Sequence, residues 1–213
     1  MSAGIRLPPP VRERRSHAER TAETRAKIMA AVVESIAEVG FQRTTASEIT
    51  RRAGVSWGAV QHHFGDKDGI LVAVLEDSFH HFAEGLLQVE VEGLPVEERV
   101  SRFVDRAWEH FASARYRCTF EILLNQPIPE TGASGPPWQG AMLAAWNRIW
   151  ERFFPAPQLG RREVVTLQLY AISLLSGLAT ARMLGDPATR LLSGPLALLK
   201  QSLVARLASG SAA

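Results

Sequence analysis

An all-α chain is what this sequence predicts, on three observations. Apolar residues recur at intervals of three and four along nearly the whole length, and no segment alternates apolar and polar with a period of two. The stretches between are short clusters of Gly, Pro, Asp and Ser of the kind that stop one helix and start the next. With 213 residues, 46% hydrophobic and 22% charged, the composition is ordinary for a globular chain with a core of its own.

The first 20 residues carry Pro8-Pro9-Pro10 and then Arg12, Arg14, Arg15 and Arg20 without apolar periodicity, so residues 1–20 are expected to be a disordered basic arm. Such arginines suit DNA phosphates or a minor groove. From Thr21 a helix is expected through Ile28, Val32, Ile36 and Val39, with Gly40 as its stop. Thr45-Ala46-Ser47-Glu48 reads as a capping box, in which Thr45 accepts from the Glu48 N–H and Glu48 reaches back to Thr45. Gly54 ends the short helix that follows. Ser56 caps a second short helix that buries Val60 and Phe64. Asp66 caps a longer one through Ile70, Leu71, Val74, Leu75 and Phe79. Further helices are expected at about 95–114, 116–125, 137–154, 161–184 and 195–208, with a Pro- and Gly-rich loop from Gln126 to Pro137.

Thr45–Ala53 and Ser56–Phe64, joined around Gly54, have helix-turn-helix spacing. If Val60 and Phe64 face inward, the 100° step of an α-helix turns Gly58 and His62 outward, flanked by Ala59 and Gln61. That face has no acid and little bulk, as entry into a major groove requires. Gln61 can pair with an adenine edge, and His62 can donate to a phosphate or a base. The helix starts at Thr45 and Lys67 present free N–H groups to phosphate oxygens, and Lys67 adds a charge. Charge placement agrees. Residues 1–67 hold 11 Lys/Arg against 7 Asp/Glu, and residues 68–213 hold 13 against 15.

The runs Gly40-Phe41-Gln42-Arg43-Thr44-Thr45-Ala46-Ser47-Glu48-Ile49 and Ala53 through Lys67 resemble the N-terminal domain of the tetracycline-repressor (TetR) family over about residues 21–80. The resemblance implies an N-terminal three-helix DNA-binding domain (21–67) joined by a long helix to a helical ligand-binding and dimerisation domain (68–213). It also implies DNA contacts from Thr45, Ser47, Ser56, Trp57, Gly58, Ala59, Gln61, His62, His63 and Lys67. Gln61 stands where the family usually has a tyrosine, and Trp57 where it has a smaller or basic residue.

In the second domain, Trp108, Phe111, Phe120, Trp146, Trp150 and Tyr170 are candidates to line an apolar pocket, with Arg115, Glu121 or Gln168 orienting a ligand. Leu169, Ile172, Ser173, Ser176, Gly177 and Thr180, together with Leu199 and Leu203 on the last helix, are candidates for a homodimer interface of four helices. The adjacent histidine pairs His62-His63 and His80-His81 point about 100° apart on a helix, which argues against metal chelation. The single cysteine, Cys118, excludes an internal disulfide and reads as a small buried residue. No catalytic constellation or cofactor motif is visible, and no run approaches the roughly 18 uninterrupted apolar residues of a membrane span.

The expected protein is therefore a cytoplasmic, non-enzymatic repressor that a hydrophobic or aromatic small molecule releases from a near-palindromic operator in double-stranded DNA. The alternatives are a dimeric DNA-binding regulator without a ligand, and a small-molecule binding protein whose helix-turn-helix is vestigial.

Overall fold

The structure is a computed structural model describing residues 16–125, 137–155, 159–185 and 191–209. Among these residues the regular elements are helices: α1 (His17–Val39), α2 (Ala46–Ala53), α3 (Trp57–Phe64), α4 (Lys67–Leu87), α5 (Val96–Phe111), α6 (Ala114–Leu124), α7 (Pro137–Phe153), α8 (Arg161–Met183) and α9 (Ser193–Ser209). A 3-10 turn, Phe41–Arg43, links α1 to the segment before α2. The first helix begins earlier than its apolar periodicity suggests. Ser16 and Glu19 form a reciprocal cap, with Ser16 Oγ accepting from Glu19 N at 3.1 Å and Glu19 accepting from Ser16 N at 2.7 Å. The extra first turn is polar, so it left no apolar signal. Residues 17–20 therefore belong to α1 with Ser16 as its cap, and residues 1–15 of the expected arm lie outside the described residues.

Two cores form. The smaller gathers Ile28, Val32 and Ile36 of α1, Ile49 of α2, Val60 of α3 and Ile70, Leu71, Val74 and Leu75 of α4. Cys118 and Ile122 of α6 complete it, so the helix-turn-helix unit does not close on itself at residue 67. Burial pushes the Cys118 thiol up to about 12, which makes it an inert packing group. Two hydrogen bonds reinforce this seam: Phe41 N donates to Glu121 Oε2 at 3.2 Å, and Gln42 Nε2 donates to Asn125 Oδ1 at 2.8 Å.

The larger core is aromatic. Phe103 of α5 is fully buried, its ring 5.2–5.8 Å from those of Trp146, Trp150, Phe153 and Phe154. Such edge-on and tilted pairs add to the burial of the rings themselves. Leu199, Leu203 and Leu207 of α9 are buried in the same core.

Helix α4 runs from one core to the other and is held at both ends. At its start, Asp66 caps Gly69 N at 2.8 Å. A Cβ built on Gly69 would lie 2.0 Å from the Phe64 carbonyl oxygen, so only glycine lets α4 begin this close to α3. At its end, Arg106 Nε donates to Gly85 O at 3.1 Å and Arg152 Nη1 to Leu86 O at 3.3 Å, cations meeting the negative end of the helix dipole. Gly69→Ala is expected to destabilise the chain by about 1–3 kcal/mol through backbone displacement. Urea denaturation checks this, and an unchanged midpoint would contradict it.

Candidate nucleic-acid interface and effector cavity

The helix-turn-helix is built by its caps. Thr45 Oγ1 accepts from Glu48 N at 3.2 Å, Ser56 Oγ accepts from Ala59 N at 3.2 Å, and Gly54 takes the left-handed conformation (φ 65°, ψ 34°) that turns the chain between α2 and α3. One expected contact is absent. Glu48 does not reach back to Thr45, because its carboxylate is held by Arg51 (2.7 Å) and Arg52 (2.5 Å). Arg52 also pairs with Glu38 of α1 at 2.7 Å, so a four-residue charged cluster fastens α2 to α1. Its hydrogen bonds from Arg51 and Arg52 hold the Glu48 carboxyl down at about 2.

On α3, Val60 is fully buried, while Gly58, Gln61 and His62 are exposed and Ala59 is half-buried. Ser47, Thr45 and Ser56 are exposed on the same unit. Trp57 is half-buried and packs against the small core, so it leans inward rather than standing free. His63 is also half-buried. Burial, then the neighbouring His62 and Arg25, push its imidazole toward the neutral form. Lys67 lies with Nζ 5.0 Å from the centre of the Phe41 ring.

Arg25 carried no signal in the residue pattern. From α1 its Nη1 donates to the His63 carbonyl at 2.6 Å, and its guanidinium carbon lies 4.3 Å from the centre of the Phe64 ring. It thus ties α1 to the C-terminal end of α3.

In the second domain, an apolar cavity of about 300 Å³ is lined by side chains of α4 to α8. Of the sequence candidates, Phe111 and Trp146 line it, with Leu75, Phe79, Phe82, Tyr116, Thr119, Leu123, Trp138, Met142, Leu143 and Ile172. The other candidates lie elsewhere. Trp108 packs on the large core and Phe120 stacks on Tyr116 at 6.2 Å. Trp150 is fully buried, its edge reaching only a separate open groove between α7 and α8. Tyr170 is on the exposed face of α8. Arg115 is paired with Asp77 of α4, Glu121 accepts from Phe41 N and Arg117, and Gln168 donates to Asn147 at 3.2 Å. None of these three orienting candidates faces the 300 Å³ cavity. The missed residues Phe79 and Phe82 sit on the connecting helix, where Phe79 read as part of the apolar stripe. Trp138 and Met142 are one turn apart on α7, a spacing that was visible.

A second cavity of about 580 Å³ lies between α1, α4 and α7 and shares Leu75, Phe79, Trp138 and Met142 with the first. Its rim carries Arg25, Glu76, Asp77 and His80. His80 and His81 face solvent on α4, and each meets an acid one turn away, Glu84 at 3.1 Å and Asp77 at 3.5 Å respectively.

The expected dimer residues divide. Leu169 (63% exposed), Ser173 and Gly177 form an open face of α8 with Val165 and Tyr170. Ser176 and Thr180 are half-buried at its edge, and Ile172 turns toward the cavity. Leu199 and Leu203 are fully buried inside the protomer, so they cannot meet a partner. Leu198 (62% exposed) is on the outer face of α9. The leucine stripe of α9 was core. Helix α8 is also long and apolar enough to cross a membrane, with a mean hydropathy of 1.6 over its most apolar window, because Gln, Ser, Thr and Gly interrupt the run without charging it. Its Leu167, Ala171, Leu175 and Ala179 face is nonetheless built into the core.

Residues 28–74 match the family described as bacterial regulatory proteins, tetR family. The HTH-type transcriptional regulator BetI of Escherichia coli is 28% identical over 155 residues, which cover 71% of this chain and 66% of BetI, a little under two thirds of that relative. The transcriptional regulator FadR from Bacillus subtilis, solved in complex with stearoyl-CoA, superposes with a TM-score of 0.63 at 19% identity over 87% of this chain and 98% of its own. A TetR-family regulator from Streptomyces coelicolor superposes at 0.64 with 17% identity, covering 86% and 97%. Such identities establish a shared fold, and residues 28–74 are similar to the helix-turn-helix region of the TetR family.

Proposed function

We propose that this chain is a dimeric repressor that binds a near-palindromic operator through α3 and is released by a small molecule held in the second domain. One observation carries the DNA-binding half. The outward face of α3 is Gly58, Gln61 and His62, all exposed and without an acid, on a helix anchored by the buried Val60. Thr45, Ser47, Ser56, Lys67 and the exposed edge of Trp57 then contact phosphates and sugars, while Gln61 and His62 meet base edges. Ala59 permits close approach, and His63 serves mainly through its backbone.

The exposed α8 face supports the dimer. Leu169 and Val165 supply apolar area, and Ser173 and Gly177 allow two copies of α8 to cross closely about a two-fold axis, with Leu198 of α9 alongside. One face of α8, with Leu167, Ala171, Leu175 and Ala179, is already committed to its own protomer, which favours a second copy of this chain over a lipid bilayer as the cover. Two α3 helices then enter successive major grooves about 34–36 Å apart.

The 300 Å³ cavity supports the ligand. Leu75, Phe79 and Phe82, all on α4, form one wall, so filling it moves the helix that starts against α3. The structurally similar FadR was solved in complex with stearoyl-CoA, and the aromatic lining here suits an apolar ligand body. Near-complete release requires the ligand to prefer the non-binding state by roughly 5.5 kcal/mol. Selection from random duplexes, followed by binding at graded salt, tests the proposal. A dyad-symmetric site whose affinity falls steeply with salt is expected. Enrichment of no sequence would leave the reading of a vestigial helix-turn-helix.

A further inference from the structure

We infer that the two cavities act as one site for an amphipathic anion, whose head group is held by Arg25 of the DNA-binding domain itself. This rests on the reading of the apolar cavity as an effector site. The cavities share Phe79, Trp138 and Met142, and their characters differ. The inner one is closed by Phe82, Phe111 and Trp146, while the outer one carries charges.

Four charged or titratable side chains stand on the outer cavity. Asp77 is occupied by Arg115 and His81, and His80 pairs with Glu84. Among the described residues that leaves Arg25 without a carboxylate and Glu76 without a cation. Glu76 is exposed and keeps its hydration. Arg25 is half-buried, and of its five N–H donors one is used, on the neutral His63 carbonyl. A partly desolvated guanidinium with spare donors gains most from an anion, which forms hydrogen bonds about twice as strong as those of a neutral acceptor.

The same geometry makes Arg25 a relay. A carboxylate reaching it from the outer cavity competes with the His63 carbonyl at the end of α3. Occupation of the site therefore weakens the tie that orients the recognition helix on α1, independently of any movement of α4.

Three ten-carbon probes differing only in head group test this on the full chain: decanoate, decan-1-ol and decyltrimethylammonium, each below its micelle concentration. Tryptophan fluorescence reads binding, since Trp138 and Trp146 line the cavities. Decanoate is expected to bind about tenfold more tightly than decanol. Arg25→Gln erases that preference, weakening decanoate far more than decanol. Arg25→Lys, which keeps the charge but not the planar fork, retains the preference. With both proteins saturated by decanoate, affinity for a selected operator duplex falls further in the wild type than in Arg25→Gln, where only the α4 route remains, with melting curves confirming that the variants fold. Equal binding of decanoate and decanol, a preference for the cation (which would point to Glu76), or a preference that survives in Arg25→Gln or is lost in Arg25→Lys would overturn the role of Arg25. Silence from all three probes would instead remove the effector cavity itself.

Discussion

Gly58→Glu is expected to lower operator affinity by at least about 100-fold while leaving the fold intact. The position is open: a Cβ there meets nothing closer than Ser56 Oγ at 3.8 Å. Replacing a helical glycine should even favour α3 by about 0.5–1 kcal/mol, and an acid in the first turn suits the helix dipole. The loss comes from DNA alone, because a carboxylate facing phosphates costs several kcal/mol, at about 1.4 kcal/mol per tenfold. Gly58→Ala, which adds a methyl without charge, should cost far less. Fluorescence anisotropy with a labelled operator, alongside thermal melts, separates the two effects. A Gly58→Glu variant that binds normally would move the DNA interface away from α3.

Leu169→Glu should convert the dimer to a monomer at micromolar concentration. Leu169 is 63% exposed at the centre of the open α8 face, and the proposed two-fold axis through that face would bring its two copies close together. The substitution thus buries two carboxylates near one another without partners, a change far larger than the loss of one apolar contact. Operator binding should fall by about 10²–10⁴-fold as well, because each half-site is then held by a single weak contact. Leu124→Glu, at the equally exposed end of α6, is the control and should leave the dimer whole. Sedimentation velocity measures both. A Leu169→Glu variant that stays dimeric would place the interface elsewhere.

The helix-turn-helix was legible because its determinants are local. Ser56, Gly54 and Asp66 act within a few residues of themselves, and Val60 fixes which side of α3 is hidden. The same local rule misassigned Glu48, whose carboxylate finds a stronger partner in Arg52 than in the backbone of Thr45. The cavity was less legible. An aromatic such as Trp150 and one such as Trp146 carry the same signal in a one-dimensional pattern. Both pack on Phe103, and only Trp146, stacked on Phe82, also lines the cavity. Likewise, the stripe of Leu199 and Leu203 looks like an interface until α5 is seen to cover it. Arg25 was illegible in principle, because its partner lies 38 residues along the chain and is a backbone carbonyl.

The most direct test of the recognition surface is hydroxyl-radical footprinting of the wild-type chain on its selected operator. Two protected patches on one face of the duplex, related by a dyad and centred about one helical turn apart (about 34–36 Å), are predicted, and both should vanish together in Gly58→Glu. A single continuous footprint without symmetry, or two patches that persist in Gly58→Glu, would contradict the assignment of α3 to the major groove.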